Sequence, residues 1–520
     1  MMPMLRGHQV PPSFMFTHIN MAQLFVRPRQ DAIDPTRYVR LMPKPPDSPI
    51  SVPTQVAPPF PPPLAGLCTH AEGAAAGLPV DVTVDRLRRY VYLKSQLLFF
   101  FAERFNGLPE WEIKGAISLH LWQDAEHSTW FRQRITEMRT PPHHLDKVPD
   151  PALAMFFREL RTAKDSTEFL VGVYTVLKPA LAAAARTHLR QSHPIADQPT
   201  RRLLGMMLPE EDQQIVWGQA ALDALLRQAD RSREDPDVLV WQRHLERHLA
   251  AAGGIHGEDT HPAADDLPPS RVPAADTPSN PPPPTSLVPK RDARFPHVWR
   301  SRGAVPAPTR PVHERLWWMM NVRLNEMHVS ELIATVIADW RDQPWAFYHD
   351  LARHLWDETR HCMLGEVAFA SQGIDFTQIP THIGFAEYPN RELSPPERYA
   401  FLWGIEQGLM TKTGKQAEVA LARAGEDERA TVFQDFDWAD EVLHAAIGRR
   451  WLEPHFKTRE AMLAVYECIR PAYDQMKEED LALPGRDWWP AFYQKHLKPL
   501  DPQLGQSPAA PSPSSTPTIS

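Results

Sequence analysis

The sequence predicts an all-α protein built from two tandem four-helix bundles joined by a Pro-rich linker. Three observations predict it. Helical apolar periodicity with start and stop signals is plentiful, while strand-like alternation is rare. Two long segments align with one another as copies. The 55 prolines crowd into positions 43–63, 262–311 and beyond Leu500, leaving two helical blocks between them. At 520 residues the chain is too long for one hydrophobic core.

Residues 1–81 are Pro-rich and expected to be largely disordered, and Met1–Gln30 lacks the continuous apolar run of a secretory signal. The first helical block spans 82–250. Within it Asp165 with Glu168 marks a helix start ahead of Phe169-Leu170. Val171–Ala185 comes closest to a membrane span, but Lys178-Pro179 interrupts it. Residues 251–310 read as linker, including Pro281–Pro284. The second block spans 311–500. Gly373 suits a helix C-cap, and Ser394-Pro395-Pro396-Glu397 has the N-cap Ser, early Pro and Glu three residues on of a capping box. Residues 501–520 read as a disordered tail.

The net charge of −8 disfavours a nucleic-acid backbone as partner. Three scattered cysteines make no disulfide framework, so a soluble protein in a reducing cytoplasm is expected, with no membrane partner.

The two blocks align without a gap at His120-Leu121-Trp122-Gln123-Asp124-Ala125-Glu126-His127 and His354-Leu355-Trp356-Asp357-Glu358-Thr359-Arg360-His361. Phe169–Tyr174 matches Phe401–Glu406, and Glu210–Gly218 matches Asp440–Gly448. The separations agree: Gln96 to Asp124 is 28 and Glu331 to Glu358 is 27, while Tyr174 to Glu211 is 37 and Glu406 to Glu441 is 35.

Glu358 with His361, and Glu441 with His444, are pairs three residues apart, which stacks both side chains on one helix face. Two such pairs, with one Glu from each remaining helix, make a cage for two metal ions. Glu331 and Glu406 supply those two. Four carboxylates balance two divalent cations, and imidazole completes each shell. The equivalent positions in the first block are Gln96, Asp124, His127, Tyr174, Glu211 and Gln214, too poor in ligands to do the same, so that block is expected to be scaffold. Glu406 lies in an apolar run, where an unpaired buried carboxylate would cost several kcal/mol.

Glu326 competes with Glu331 for the first ligand position; on a continuous helix the two face different ways, and Glu331 keeps register with Gln96. His328 shares the Glu331 face, as a ligand or as a group supporting one. His120 and His354 persist in both blocks, which favours packing. Cys362 points about 100° away from the ligands and reads as core. Trp356, Phe401, Trp403 and Trp438 are candidates to line a substrate pocket, with core packing the commoner role.

These motifs resemble the ferritin-like superfamily of carboxylate-bridged di-iron proteins. The Asp-Glu-x-Arg-His string is similar to that of bacterial multicomponent monooxygenases, and the small subunit of ribonucleotide reductase is a more distant analogue. The resemblance covers the second block, and the first only as a degraded copy. It implies two iron ions, with manganese or a mixed pair as alternatives. It implies that Asp357 and Asp440 each bond the ligating His of the opposite pair, and that Arg360 neutralises carboxylate charge. It implies an oxidase or oxygenase acting on a small organic molecule with dioxygen, served by an electron-transfer partner. In place of the hydroxyl those monooxygenases carry one turn past this carboxylate, the chain has Met410, with Thr411 and Thr413 just beyond. A ferroxidase and a metal-free interaction protein are the alternative readings.

Overall fold

The computed structural model describes residues 61–139, 145–261, 269–272 and 285–503. The expected disordered N-terminal region up to residue 60, the prolines at 281–284 and the tail from 504 lie outside them.

The described chain is all-α, and from Pro63 onward it forms one compact unit. The first block gives α1 (Val80–Phe105), α2 (Trp111–Thr136), α3 (Pro151–Leu160), α4 (Ser166–Gln191), α5 (Gln198–Gln228) and α6 (Pro236–Ala251). The second gives α7 (Val312–Leu324), α8 (Met327–Asp339), α9 (Trp345–Ala370), α10 (Gly384–Glu392), α11 (Pro395–Leu409), α12 (Lys415–Ala424), α13 (Glu428–Phe456) and α14 (Arg459–Leu481). Among the described residues the strands are β1 (Val298–Trp299) and β2 (Thr381–His382), paired in parallel.

The caps form where the sequence places them. The Asp165 side chain accepts from Glu168 N at 2.9 Å, and Ser394 and Glu397 close a reciprocal box at the start of α11. Gly373 takes φ +74° just past α9, a backbone shape that costs glycine little. α4 is long and apolar enough to cross a membrane, yet 67% of its most apolar window is buried inside the protein. Lys178, which interrupts that apolar run, is itself buried.

The two helical blocks pack directly on one another, α1 against α8 and α2 against α9. Trp122 and Trp356, which the alignment equates, stack at 6.5 Å with planes 9° apart. Thr359 Oγ1 donates to Ser118 Oγ at 2.8 Å, and Trp345 Nε1 donates to Thr129 at 2.8 Å. The described end of the Pro-rich stretch is held against the helices. Lys290 N donates to Asn106 O at 2.9 Å, and Arg291 is inserted among buried side chains.

Candidate metal centre

α9 presents His354, Glu358 and His361 inward at i, i+4 and i+7, a single helix face. α13 does the same with Asp437, Glu441 and His444, and α11 adds Glu406. All seven are buried. The first half of the centre is His354, Glu358, Glu406 and His444, whose ligand atoms lie within 4.8 Å of one another. The second gathers Glu326, Glu358 and His361 on one side and His361, Asp437 and Glu441 on the other. Glu358 joins the halves: its Oε1 is 3.1 Å from His444 Nδ1 and its Oε2 is 3.7 Å from His361 Nδ1.

Both imidazoles are held from behind. Asp357 Oδ2 lies 3.3 Å from His444 Nε2, and Asp440 Oδ2 lies 3.2 Å from His361 Nε2. Each aspartate thus supports the histidine of the other helix, the arrangement that the resemblance implies. Arg360 bonds both aspartates, and Arg353 adds a second bond to Asp357 at 2.8 Å. With Nε2 engaged, each ring turns Nδ1 toward the centre, the orientation a metal requires.

Glu331 does not join this group. Its carboxylate is buried against Lys114 of α2 and Arg291, and those two cations outweigh burial and hold it below the usual range. Both partners lie outside the second block, so spacing within that block could not reveal them. Glu326 takes the place instead. α7 stops at Leu324 and α8 begins at Met327, so Glu326 sits in a turn and not on a continuous helix. Asn325 fixes that turn by accepting from His382 N at 2.9 Å. His328 bonds none of the ligands; its ring lies 4.3 Å from that of His382.

His354, read from sequence as packing, reaches the centre. Its Nε2 is 3.0 Å from Glu406 Oε1 and 3.4 Å from Glu358 Oε1, and its ring stacks on His444 at 3.9 Å. The sequence signal was position, since His354 stands one helical turn before Glu358, but its persistence in both blocks favoured packing. Asp437, Arg323 and Lys415 were also missed. Lys415 Nζ bonds Asp437 at 2.8 Å and Glu441 at 2.9 Å, and Arg323 bonds Glu326 at 2.6 Å and also Asp437.

Charge sets the proton affinities. Burial would pull His361 down, but Asp437, Asp440 and Glu358 hold it up at about 10. His444 is likewise raised, Asp357 and Glu358 outweighing burial. Burial pushes Glu326 up to about 8. Glu358 stays well below the usual range because three imidazoles outweigh its burial. Protons and metal ions would compete for these atoms.

A cavity of about 490 Å³ opens onto Glu326, Glu358, Glu406 and Glu441. Its walls include Trp318, Met319, Phe385, Leu402 and Ile405, and Thr413 supplies a hydroxyl. Three of the expected aromatic liners face elsewhere. Trp356 stacks on Trp122, Trp403 donates to Ala445 O at 3.2 Å, and Phe401 packs on Tyr473 at 5.0 Å.

The aligned positions of the first block carry a different solution. Asp124 and Glu211 are fully buried, and Lys94 and Lys178 lie between them. Lys94 Nζ is 2.6 Å from Asp124, and Lys178 Nζ is 3.1 Å from it. Two ammonium groups thus neutralise two carboxylates. Tyr174 bonds His120 at 2.6 Å, as Glu406 bonds His354, while Gln96 turns away to Arg161 at 3.0 Å. Gln214 donates to Gln123 at 2.8 Å.

Comparison with known proteins matched no family model, no curated protein and no solved structure.

Proposed function

We propose that the second block is a ferritin-like bundle that binds two metal ions, iron or manganese, and acts as an oxidase or oxygenase on a small organic molecule. The observation that carries this reading is a set of five buried ligand atoms: Glu326 Oε2, Glu406 Oε2 and Glu441 Oε2 have no hydrogen-bond partner, and His361 Nδ1 and His444 Nδ1 meet only carboxylates of the centre itself. All five belong to one centre. Leaving a buried polar atom unpaired costs about 1–3 kcal/mol, so such a cluster is retained where something else satisfies it. Five carboxylates at the centre, Glu326, Glu358, Glu406, Asp437 and Glu441, face two permanent cations, Arg323 and Lys415. Carboxylate and imidazole together suit iron or manganese.

Bound there, such ions supply redox chemistry toward dioxygen. The chain's own part is to fix the ligands and shape the pocket. Asp357 and Asp440 set which imidazole nitrogen faces inward. The apolar walls exclude water and seat an organic molecule above the carboxylates. That cavity favours an oxidase or oxygenase over an iron store. The paired lysines, the matched His120–Tyr174 and His354–Glu406 contacts and the stacked tryptophans support a tandem duplication in which the first bundle serves as scaffold.

Metal analysis of the purified protein tests the proposal. Wild type is expected to carry up to two ions per chain, and Glu358→Ala and His444→Ala to lose them with helical content unchanged. Retained metal in both variants removes the site.

A further inference from the structure

The cavity above the acidic centre has a guanidinium at its side that Glu326 and Glu418 reach only at a distance. Arg302 lines it, and its guanidinium makes no hydrogen bond or ion pair among the described residues; only its backbone oxygen is engaged, by Trp488. A partly buried guanidinium beside apolar walls is costly without an anion. His328 and His382 line the same cavity, 5% and 4% exposed, their rings 4.3 Å apart and tilted by 33°. His328 Nδ1 and both ring nitrogens of His382 have no partner. An imidazole carries an N–H donor in either tautomer. One fixed charge and two ring donors suit a single carboxylate.

Arg302, His382, Phe385, Ile405 and Tyr473 also line a second cavity of about 240 Å³. Arg300, Arg470 and Lys477 also line that second space, but Glu387 pairs with Arg300 at 3.0 Å and Asp474 with Arg470 at 3.2 Å and Lys477 at 2.7 Å, which leaves Arg302 as its cation without an ion pair among the described residues. An anion is drawn to Arg302 and repelled from the carboxylate floor beyond it. The chamber's volume lies within the range of small-molecule sites.

We propose that the substrate is an apolar organic acid, its carboxylate held by Arg302, His328 and His382 and its hydrocarbon part lying over the metal centre. This rests on the oxidase or oxygenase reading for the word substrate, but not for the binding itself.

The test uses the full metal-loaded chain, with decanoate and decan-1-ol as matched probes in calorimetric titrations. Wild type is expected to bind decanoate about tenfold or more tighter than decan-1-ol. Arg302→Gln should remove that preference and leave decan-1-ol binding within about twofold, and His382→Ala should weaken decanoate in the same direction. Arg315, the other cavity arginine without an ion pair among the described residues, serves as the control, and Arg315→Gln should keep the preference. Metal content and circular dichroism are measured on every sample. Equal binding of acid and alcohol by wild type, or an unchanged preference in a folded Arg302→Gln protein, overturns the proposal. Arg302-dependent binding of decanoate to a chain that takes up no metal would sustain the acid site and defeat the redox reading.

Discussion

At the scale of single residues, two glutamates five positions apart have different work. Glu326 faces the centre with one oxygen unpaired, and Glu331 is locked between Lys114 and Arg291. Glu326→Gln is therefore expected to weaken metal binding at least about tenfold with little change in stability, since charge-assisted ligation is lost but packing is not. Glu331→Gln should do the reverse. Metal stays, and stability falls by about 3–5 kcal/mol, because two buried cations lose their partner. Metal titration and chemical denaturation of the pair separate the roles. Lys415 makes a third case. It occupies Glu441 and Asp437, so a second ion must displace it, while the half holding His354 has no lysine or arginine bonded to it among the described residues. Two unequal binding steps are expected, and Lys415→Met should bring the weaker one closer to the stronger. The five candidate ligands on α9, α11 and α13 could be proposed from the sequence because i, i+3 spacing and an apolar setting are local properties. Glu331 was misplaced because its partners come from elsewhere in the chain, and His354 because its twin, His120, bonds Tyr174 in a block that reads as scaffold.

At the scale of elements, the centre depends on how closely its helices approach. A Cβ on Gly448 of α13 would fall 2.4 Å from the Trp403 ring on α11. Trp403 stands three residues before Glu406, so crowding there moves a ligand. Gly448→Ala should cost about 1–3 kcal/mol by overpacking and lower metal affinity as well, read by thermal unfolding with and without metal. The helix starts at Ser166 and Pro395 and the stop at Gly373 were legible because capping chemistry is local. The break between α7 and α8 was not. No Pro or Gly marks it; it is held by Asn325 reaching the backbone of His382, 57 positions away. The Pro-rich stretch read as linker likewise contributes Arg291 and Arg302, whose burial depends on helices far off in sequence.

For the molecule as a whole, the two blocks show the same acidic positions neutralised in two ways. Lys94 and Lys178 sit where the second block is proposed to place metal. Lys94→Met leaves Lys178 as the one ammonium between two buried carboxylates and should destabilise the fold by about 3–5 kcal/mol without altering metal content. The lysines, with His127, outweigh burial and hold Glu211 at about 2. That depressed value contributes stability above its ordinary value of 4.5, which drains away as pH falls toward about 2. Unfolding free energy should decline across that acid window, and Glu211→Gln should flatten the decline.

The central claim is that ions unite Glu358, His361, Glu406, Glu441 and His444 while the lysine-filled copy takes none. Anomalous diffraction from crystals grown with iron or manganese locates ions directly. The account predicts peaks bounded by Glu358 and His444, and by Glu326 and His361, with none between Asp124 and Glu211. A well-ordered crystal with no peak at Glu358, or with an ion between Lys94 and Lys178, would contradict it.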